Sequence, residues 1–256
     1  MRRLAYPSLL VLSLLLSSPA AAMSRAELGA IEIYDRTARQ VLPVHEHQGR
    51  YYVAGEPGHE YELVLRNHTG GRLLAVTSVD GVNVVTGQTA APEQTGYVLP
   101  AYGSTPVAGW RKSLDEVAAF YFTKHKSSYA ARTGRPFDVG VIGVALFREK
   151  TACCDYGWRE RDASGDAAAG AAAPEAAAPE LQARRHEEKL GTGHGRREHS
   201  SARHTEFERA GAVPDQVIAI YYDTRANLVA QGVLPRPRHY AQRRPRPFPG
   251  TFVPDP

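Results

Sequence analysis

The side chains best suited to chemistry in this chain of 256 residues fall in a few short strings. His45-Glu46-His47 alternates two imidazoles with a carboxylate. In an extended segment His45 and His47 point to one side, a spacing that suits two nitrogens on one transition-metal ion. A catalytic centre needs a third ligand, and His59, Glu60 or His68 could supply it only through folding. The plainer reading places these histidines on the surface, in a loop between Pro43 and Gly49. Cys153-Cys154 is the second string. A bond between adjacent cysteines closes an eight-membered ring that strains the peptide between them. In an oxidising compartment a vicinal disulfide, an intermolecular bridge or free thiols therefore all stay open. The bland alternative is two small, half-buried residues closing the domain beside Tyr156 and Trp158. No Cys-x-x-C occurs, so a thioredoxin-like role has no support.

Gly191-Thr192-Gly193-His194-Gly195 is glycine-rich in the manner of a phosphate-cradling loop. It lacks the Gly-Lys-Ser/Thr ending of such loops and no strand is predicted before it, so its glycines read as backbone bends. Neither a Gly-x-Ser-x-Gly elbow nor a His-Glu-x-x-His zinc motif is present. Trp110-Arg111-Lys112 presents an aromatic ring and two cations; the preferred reading makes Trp110 an anchor at the sandwich edge and leaves both cations in solvent. No catalytic residue and no cofactor is assigned, beyond a transition metal as the weaker option at His45 and His47.

The elements that must position these residues are mostly strands. Residues 30–34, 51–54 and 61–65 are short runs rich in β-branched or aromatic side chains, separated by turn formers. Tyr61, Leu63 and Leu65 share one face and Glu62 and Val64 the other. Asp80-Gly81 joins two such runs, 72–79 and 82–85, as a two-residue hairpin of the type that needs φ > 0. Residues 97–99 are a short strand candidate. Ser113-Leu114-Asp115-Glu116 has capping-box spacing and predicts one helical turn before a strand over 117–122. Residues 139–147 are almost wholly apolar and read as the central, doubly covered strand, with Gly140 and Gly143 marking a bulge or a close backbone approach. Late in the chain, 216–222 reads as a strand. Asp223 or Thr224 then caps a short helix through Leu228 and Val229 that ends at Gly232. Fewer than 30 residues cannot fold alone, so this island is expected to pair with the edge of the first domain.

The expected architecture is mainly β: an antiparallel β-sandwich or open barrel over 28–158, completed by the C-terminal strand and short helix of 205–234. Between them, 161–203 reads as a disordered linker, Ala/Pro/Gly-rich and then charged, with almost no large apolar side chains to offset its ordering entropy. Residues 235–256 form a Pro/Arg-rich tail biased to extended polyproline II. At the other end, Arg2 and Arg3, the apolar run 9–16 and the small residues up to Ala22 read as a secretory signal peptide over 1–22. That run is far short of the ~20 apolar residues of a membrane-spanning helix, so no transmembrane segment is expected after its removal. Loss of Arg2 and Arg3 lowers the formal charge from +4 by two. A balance of 31 basic and 27 acidic residues is mixed, which argues against nucleic acid as the partner.

Several strings together resemble an uncharacterised family of exported proteins of Gram-negative bacteria. They are Ser78-Val79-Asp80-Gly81-Val82-Asn83-Val84-Val85-Thr86-Gly87, Gly109-Trp110-Arg111-Lys112 and Tyr129-Ala130-Ala131-Arg132-Thr133-Gly134, with 191–195, Phe207-Glu208-Arg209-Ala210 and Tyr221-Tyr222-Asp223. The resemblance implies that the two ordered regions belong together and brings no activity, cofactor or catalytic residue. The expected function is an exported, non-enzymatic binding or interaction module, periplasmic or secreted, whose partner is an envelope protein or cell-surface component. Two alternatives stay open: a metal-dependent or hydrolytic periplasmic enzyme using His45 and His47, and an envelope assembly factor acting through the Pro/Arg tail.

Overall fold

A computed structural model describes residues 27–151 and 189–236. Residues 1–22, read above as a signal peptide, Cys153, Cys154, the alanine-rich stretch and the arginines of the tail beyond Arg236 lie outside the described residues. Strands follow one another as β1 (Gly29–Asp35), β2 (Gln40–Val41), β3 (Val44–His47), β4 (Arg50–Gly55) and β5 (Glu60–Asn67). Next come β6 (Leu73–Val79), β7 (Val82–Asn83), β8 (Tyr97–Leu99), β9 (Ser104–Val107), β10 (Gly109–Arg111) and β11 (Glu116–Lys124). A short helix, α1 (Tyr129–Arg132), precedes β12 (Val141–Arg148), β13 (Leu190–His199), β14 (Gln216–Thr224) and a second short helix, α2 (Arg225–Ala230).

These strands form two seven-stranded sheets. The first runs β10-β11-β5-β1-β2, with β13 added to β11 and β9 to β5. The second runs β3-β4-β14-β12-β6-β7, with β8 added to β6. Their inner faces meet in one core, to which Ile33, Leu63, Leu65, Phe120 and Phe122 come from the first sheet and Val53, Leu73, Val79, Ile142, Leu146 and Ile220 from the second. Burying each such side chain contributes about 1.5–3 kcal/mol, so period-2 alternation fixes which face each strand turns inward. Tyr61, Leu63 and Leu65 are buried in β5, as their spacing predicts. Neither sheet closes on itself, so the open sandwich holds and the barrel does not.

Other expectations are corrected. The second sheet is mixed, because β14 runs parallel to β4 with Tyr222 opposite Val53. Strand β14 does not sit at an edge: it is inserted between β4 and β12. Residues 190–199, read as linker, are a strand along the whole of β11. Ser113 to Glu116 make no helical turn. Ser113 Oγ does accept the backbone N–H of Glu116 at 3.1 Å, but Lys112 N–H donates to the Glu116 carbonyl and turns the chain back as a hairpin from β10 to β11. Strand β12 keeps an unbroken register with β6, so Gly143 serves close approach, a Cβ there lying 2.9 Å from Ser78 Oγ, while Gly140 precedes the strand at φ 96°. As expected, β12 is interior, and its outer face is covered where Phe147 and Ala145 pack with Leu74, Val76 and Phe207. The Asp80-Gly81 turn has both residues at positive φ, 52° and 70°, and Thr224 caps α2 by accepting from Asn227 N–H. Among the described residues no helix is long and apolar enough to cross a membrane.

Candidate functional site

Five of the strings singled out above meet at one end of the sandwich, and β13 is the element that joins them. Its Gly-Thr-Gly-His-Gly segment has the period of a strand. Gly191, Gly193 and Gly195 fall on one side and Thr192 and His194 on the other. The glycines are needed for space: a Cβ on Gly191 would lie 2.7 Å from both Ser128 Cβ and Val139 Cγ1, and one on Gly193 would enter the ring of Tyr121, its partner on β11. Correcting the earlier reading, these glycines allow neighbouring groups to press on a strand; they are not bends beside a linker.

Thr192 points into a polar chain that crosses the core. Tyr222 O–H donates to Asp80 Oδ1 at 2.5 Å, and Thr192 Oγ1 lies 2.6 Å from the oxygens of both Tyr222 and Tyr61. Each hydroxyl has one proton, so Tyr61 donates to Thr192, Thr192 to Tyr222 and Tyr222 to the carboxylate. Asp80 also accepts from Gly140 N–H at 2.9 Å and from Thr192 N–H at 2.8 Å. Burial pushes the Asp80 carboxyl up to about 6, opposed by the hydrogen bonds from Tyr222, Gly140 and Thr192. Burial first, and the Asp80 charge second, hold the Tyr61 and Tyr222 phenols well above their ordinary range, so both remain donors. One turn further along the seam, Asp223 Oδ1 accepts Leu190 N–H at 3.1 Å. Two carboxylates of the second sheet thus satisfy N–H groups of β13 that its ladder with β11 leaves over.

Two residues on, His194 meets a different environment. Its ring packs on Trp110 (centroids 6.2 Å, planes 10° apart) and on Tyr129 (5.4 Å), and Trp110 and Tyr129 touch each other at 4.8 Å. Trp110 comes from β10 and is held edge-on to Phe120 at 4.8 Å. Tyr129 comes from α1, whose N-cap Ser128 accepts Ala131 N–H. Directly after His194 the ladder slips, so that Gly195 and Arg196 face Ala119 alone. Such a bulge re-aims the side chains beside it. Burial lowers the His194 imidazole, and the charges of Lys112, Arg132 and Arg197 lower it further. Arg197 is tied to Glu116 at 3.5 Å, whereas Lys112 and Arg132 are exposed and make no ion pair among the described residues. Trp110 is 3% exposed, yet its indole N–H has no hydrogen-bond partner. This end of the molecule therefore combines a buried indole, a half-buried neutral imidazole and two exposed cations that make no ion pair among the described residues.

The remaining predicted residues lie elsewhere. His45 and His47 share one face of the edge strand β3, opposite Tyr52 and Arg50 of β4, and His47 packs edge-on against Tyr52. Two of the three proposed third ligands are engaged elsewhere: His59 Nδ1 lies 2.7 Å from Asp35 Oδ2, and Glu60 binds Arg196 at 3.0 Å; the third, His68, is exposed just beyond β5. Among the described residues no group of three or more His, Cys, Asp or Glu is placed to hold a metal ion. The pair at His45 and His47 is thus not completed into a metal centre. Arg111 is not solvated as expected, because its guanidinium donates to Tyr97 Oη and to the Ser200 carbonyl and so pins the segment after β13. Lys112 is exposed as expected.

Three residues of this end escaped the sequence reading. Tyr129 and Arg132 were noticed only within a longer string, and His194 only among its glycines. The alternation in Gly-Thr-Gly-His-Gly is a strand period, and that signal places Thr192 and His194 on one face. The chain matches no protein-family model, no curated protein and no solved structure.

Proposed function

We propose that the protein is an exported binding module of the bacterial envelope, and that the end of the sandwich built by Trp110, Tyr129 and His194 is its binding surface. One observation carries the reading: around the aromatic cluster Lys112 and Arg132, which both act on the His194 imidazole, are exposed and make no ion pair among the described residues. Charged groups of a purely structural surface are generally interspersed with the opposite sign, as Arg66 with Glu32 and Arg196 with Glu60 are in this molecule. The secretory pattern of the first 22 residues supports an extracytoplasmic setting. The half-buried rings of Tyr129 and His194, backed by the buried Trp110, beside cations without ion pairs supply contact area and charge attraction to an acidic partner, the usual division of labour in recognition.

Charge reversal tests this. Immobilised full-length protein and its Lys112→Glu/Arg132→Glu variant are each exposed to envelope extract. Components retained by the wild type should be lost by the variant, and free wild-type protein should elute them. Equal retention of the same components by both would remove this surface from consideration.

A further inference from the structure

We propose that the loop end of the sandwich that carries Phe137 docks on an anionic lipid bilayer, with the Phe137 ring entering the headgroup region and the cations around it resting on the surface. Trp110, Tyr129 and His194 take no part in it. Phe137 lies in a turn of 3-10 helix, Pro136–Asp138, between α1 and β12, and is 84% exposed. Its support is hydrogen-bonded: the Pro136 carbonyl lies 2.8 Å from His125 Nε2, Arg135 N–H donates to the Ala130 carbonyl at 2.8 Å, and Arg135 Nη1 donates to the Gly87 carbonyl at 3.2 Å. Backbone bonds tie the neighbouring loops to the same end. His125 N–H donates to the Lys189 carbonyl at 3.0 Å, Gly58 N–H to Phe122 at 2.7 Å and Arg36 N–H to Glu60 at 2.8 Å. Strand β14 ends there too, with Thr224 opposite Gly55 of β4.

These loops carry Arg39, Lys124, Arg132, Arg225 and Arg236, all exposed and none in an ion pair among the described residues. Their exposed acids are Glu56 and Asp138. The opposite end is balanced instead: Arg72 pairs with Glu149, Arg148 with Asp215 and Lys150 with Glu208. After α2 the chain stays at the cationic end, where Leu234 N–H donates to the Leu228 carbonyl at 3.2 Å. From there the sequence continues with Arg238, Arg243, Arg244 and Arg246 and no acid before Asp255. Cations contributed by separate loops suit a plane of negative charge better than a single bound anion. One exposed ring needs no explanation by itself. Set among surplus positive charge, it supplies the second, apolar signal that holds a basic surface on a membrane.

Residue 137 itself is the reporter. Full-length Phe137→Trp is mixed with phosphatidylglycerol vesicles, and the wild type, which has Trp110 and Trp158, gives the background emission. The added emission should shift to the blue, be quenched by brominated acyl chains and stay unchanged with phosphatidylcholine vesicles. Lys124→Glu/Arg225→Glu in the same protein should weaken the response about tenfold or more. In vesicle sedimentation Phe137→Ser should bind about threefold or more weakly than the wild type. All three substituted positions are exposed, which keeps the fold out of the outcome. Vesicle binding that leaves residue 137 unquenched places the contact elsewhere in the chain and overturns the docking face. An equal response to phosphatidylcholine overturns the recognition of charge. A blue shift with soluble polyglutamate in place of vesicles assigns this end to an acidic protein and overturns the membrane. Lys112 is untouched in every variant, so failure here leaves the surface around His194 to its own charge-reversal test.

Discussion

Thr192 and His194 are two residues apart on the same face of one strand, yet they belong to opposite kinds of polar environment. Around Thr192 the hydroxyls of Tyr61 and Tyr222 and the Asp80 carboxylate are each matched to a partner at 2.5–2.9 Å. Around His194 a buried indole N–H has no partner, and Lys112 and Arg132 make no ion pair among the described residues. The first arrangement closes its own electrostatics and holds the two sheets together. The second leaves an indole N–H buried without a partner and Lys112 and Arg132 exposed to solvent. Polar groups alone therefore do not mark a site; unfinished satisfaction does.

The comparison breaks most visibly at Asp80. Asp80→Ala leaves Gly140 N–H, Thr192 N–H and the Tyr222 hydroxyl without an acceptor and places alanine at φ 52°. We expect a loss of about 3–5 kcal/mol in urea denaturation at pH 7. A loss under about 1 kcal/mol would show that the chain is not what joins the sheets.

Protonation is the next largest lever. The Asp80 carboxyl is raised from 3.8 to about 6 in the folded state, so the folded protein binds its proton more tightly than the unfolded chain does. Its contribution is complete below pH 3.8 and is lost as pH rises through about 6, amounting to about 3 kcal/mol. Glu32, Glu60 and Glu149 are lowered by their arginine partners and oppose this trend. The measurement is therefore the difference between wild type and Asp80→Asn in unfolding free energy from pH 4 to pH 7. Parallel curves would refute the assignment.

Smaller effects sharpen the contrast. Gly193→Ala forces the Tyr121 ring off the strand and should cost about 1–3 kcal/mol, partly recovered in Gly193→Ala/Tyr121→Ala. At the other pole Lys112→Ala/Arg132→Ala should change stability by no more than about 0.5 kcal/mol in thermal unfolding, because neither side chain holds the fold together. A large destabilisation there would make the cations structural.

Sequence alone reaches β1, β4 to β8, β11, β12 and β14, the Asp80-Gly81 turn and the cap of α2, because alternation, turn chemistry and capping are local; it misses the short strands β2, β9 and β10 and reads β3 as a loop. It does not reach the pairing of β14, since nothing in Val217, Ile218 or Ile220 distinguishes an interior partner from an edge one. Strand β13 is hidden for another reason. Its large side chains are mainly charged ones that pair outward, such as Arg196 with Glu60 and Arg197 with Glu116, so its apolar signal is nearly absent. Asp80 reads as a turn residue, which it is, but its burial is imposed by Tyr222 and Thr192 from more than 100 residues later. His194 is visible as a residue and invisible as a site. Its company comes from β10 and α1, and that meeting is a property of the folded chain.

The insertion of β14 also sets a schedule. Until the chain has been made as far as Thr224, β4 has only β3 beside it and β12 lacks the neighbour on its other flank. Synthesis of the first 200 residues therefore supplies every strand of the first sheet but leaves the second in two halves, β3-β4 and β12-β6 with β7 and β8, and its native packing waits for the last strand. Such a delay exposes pairing edges to aggregation and to chaperones alike.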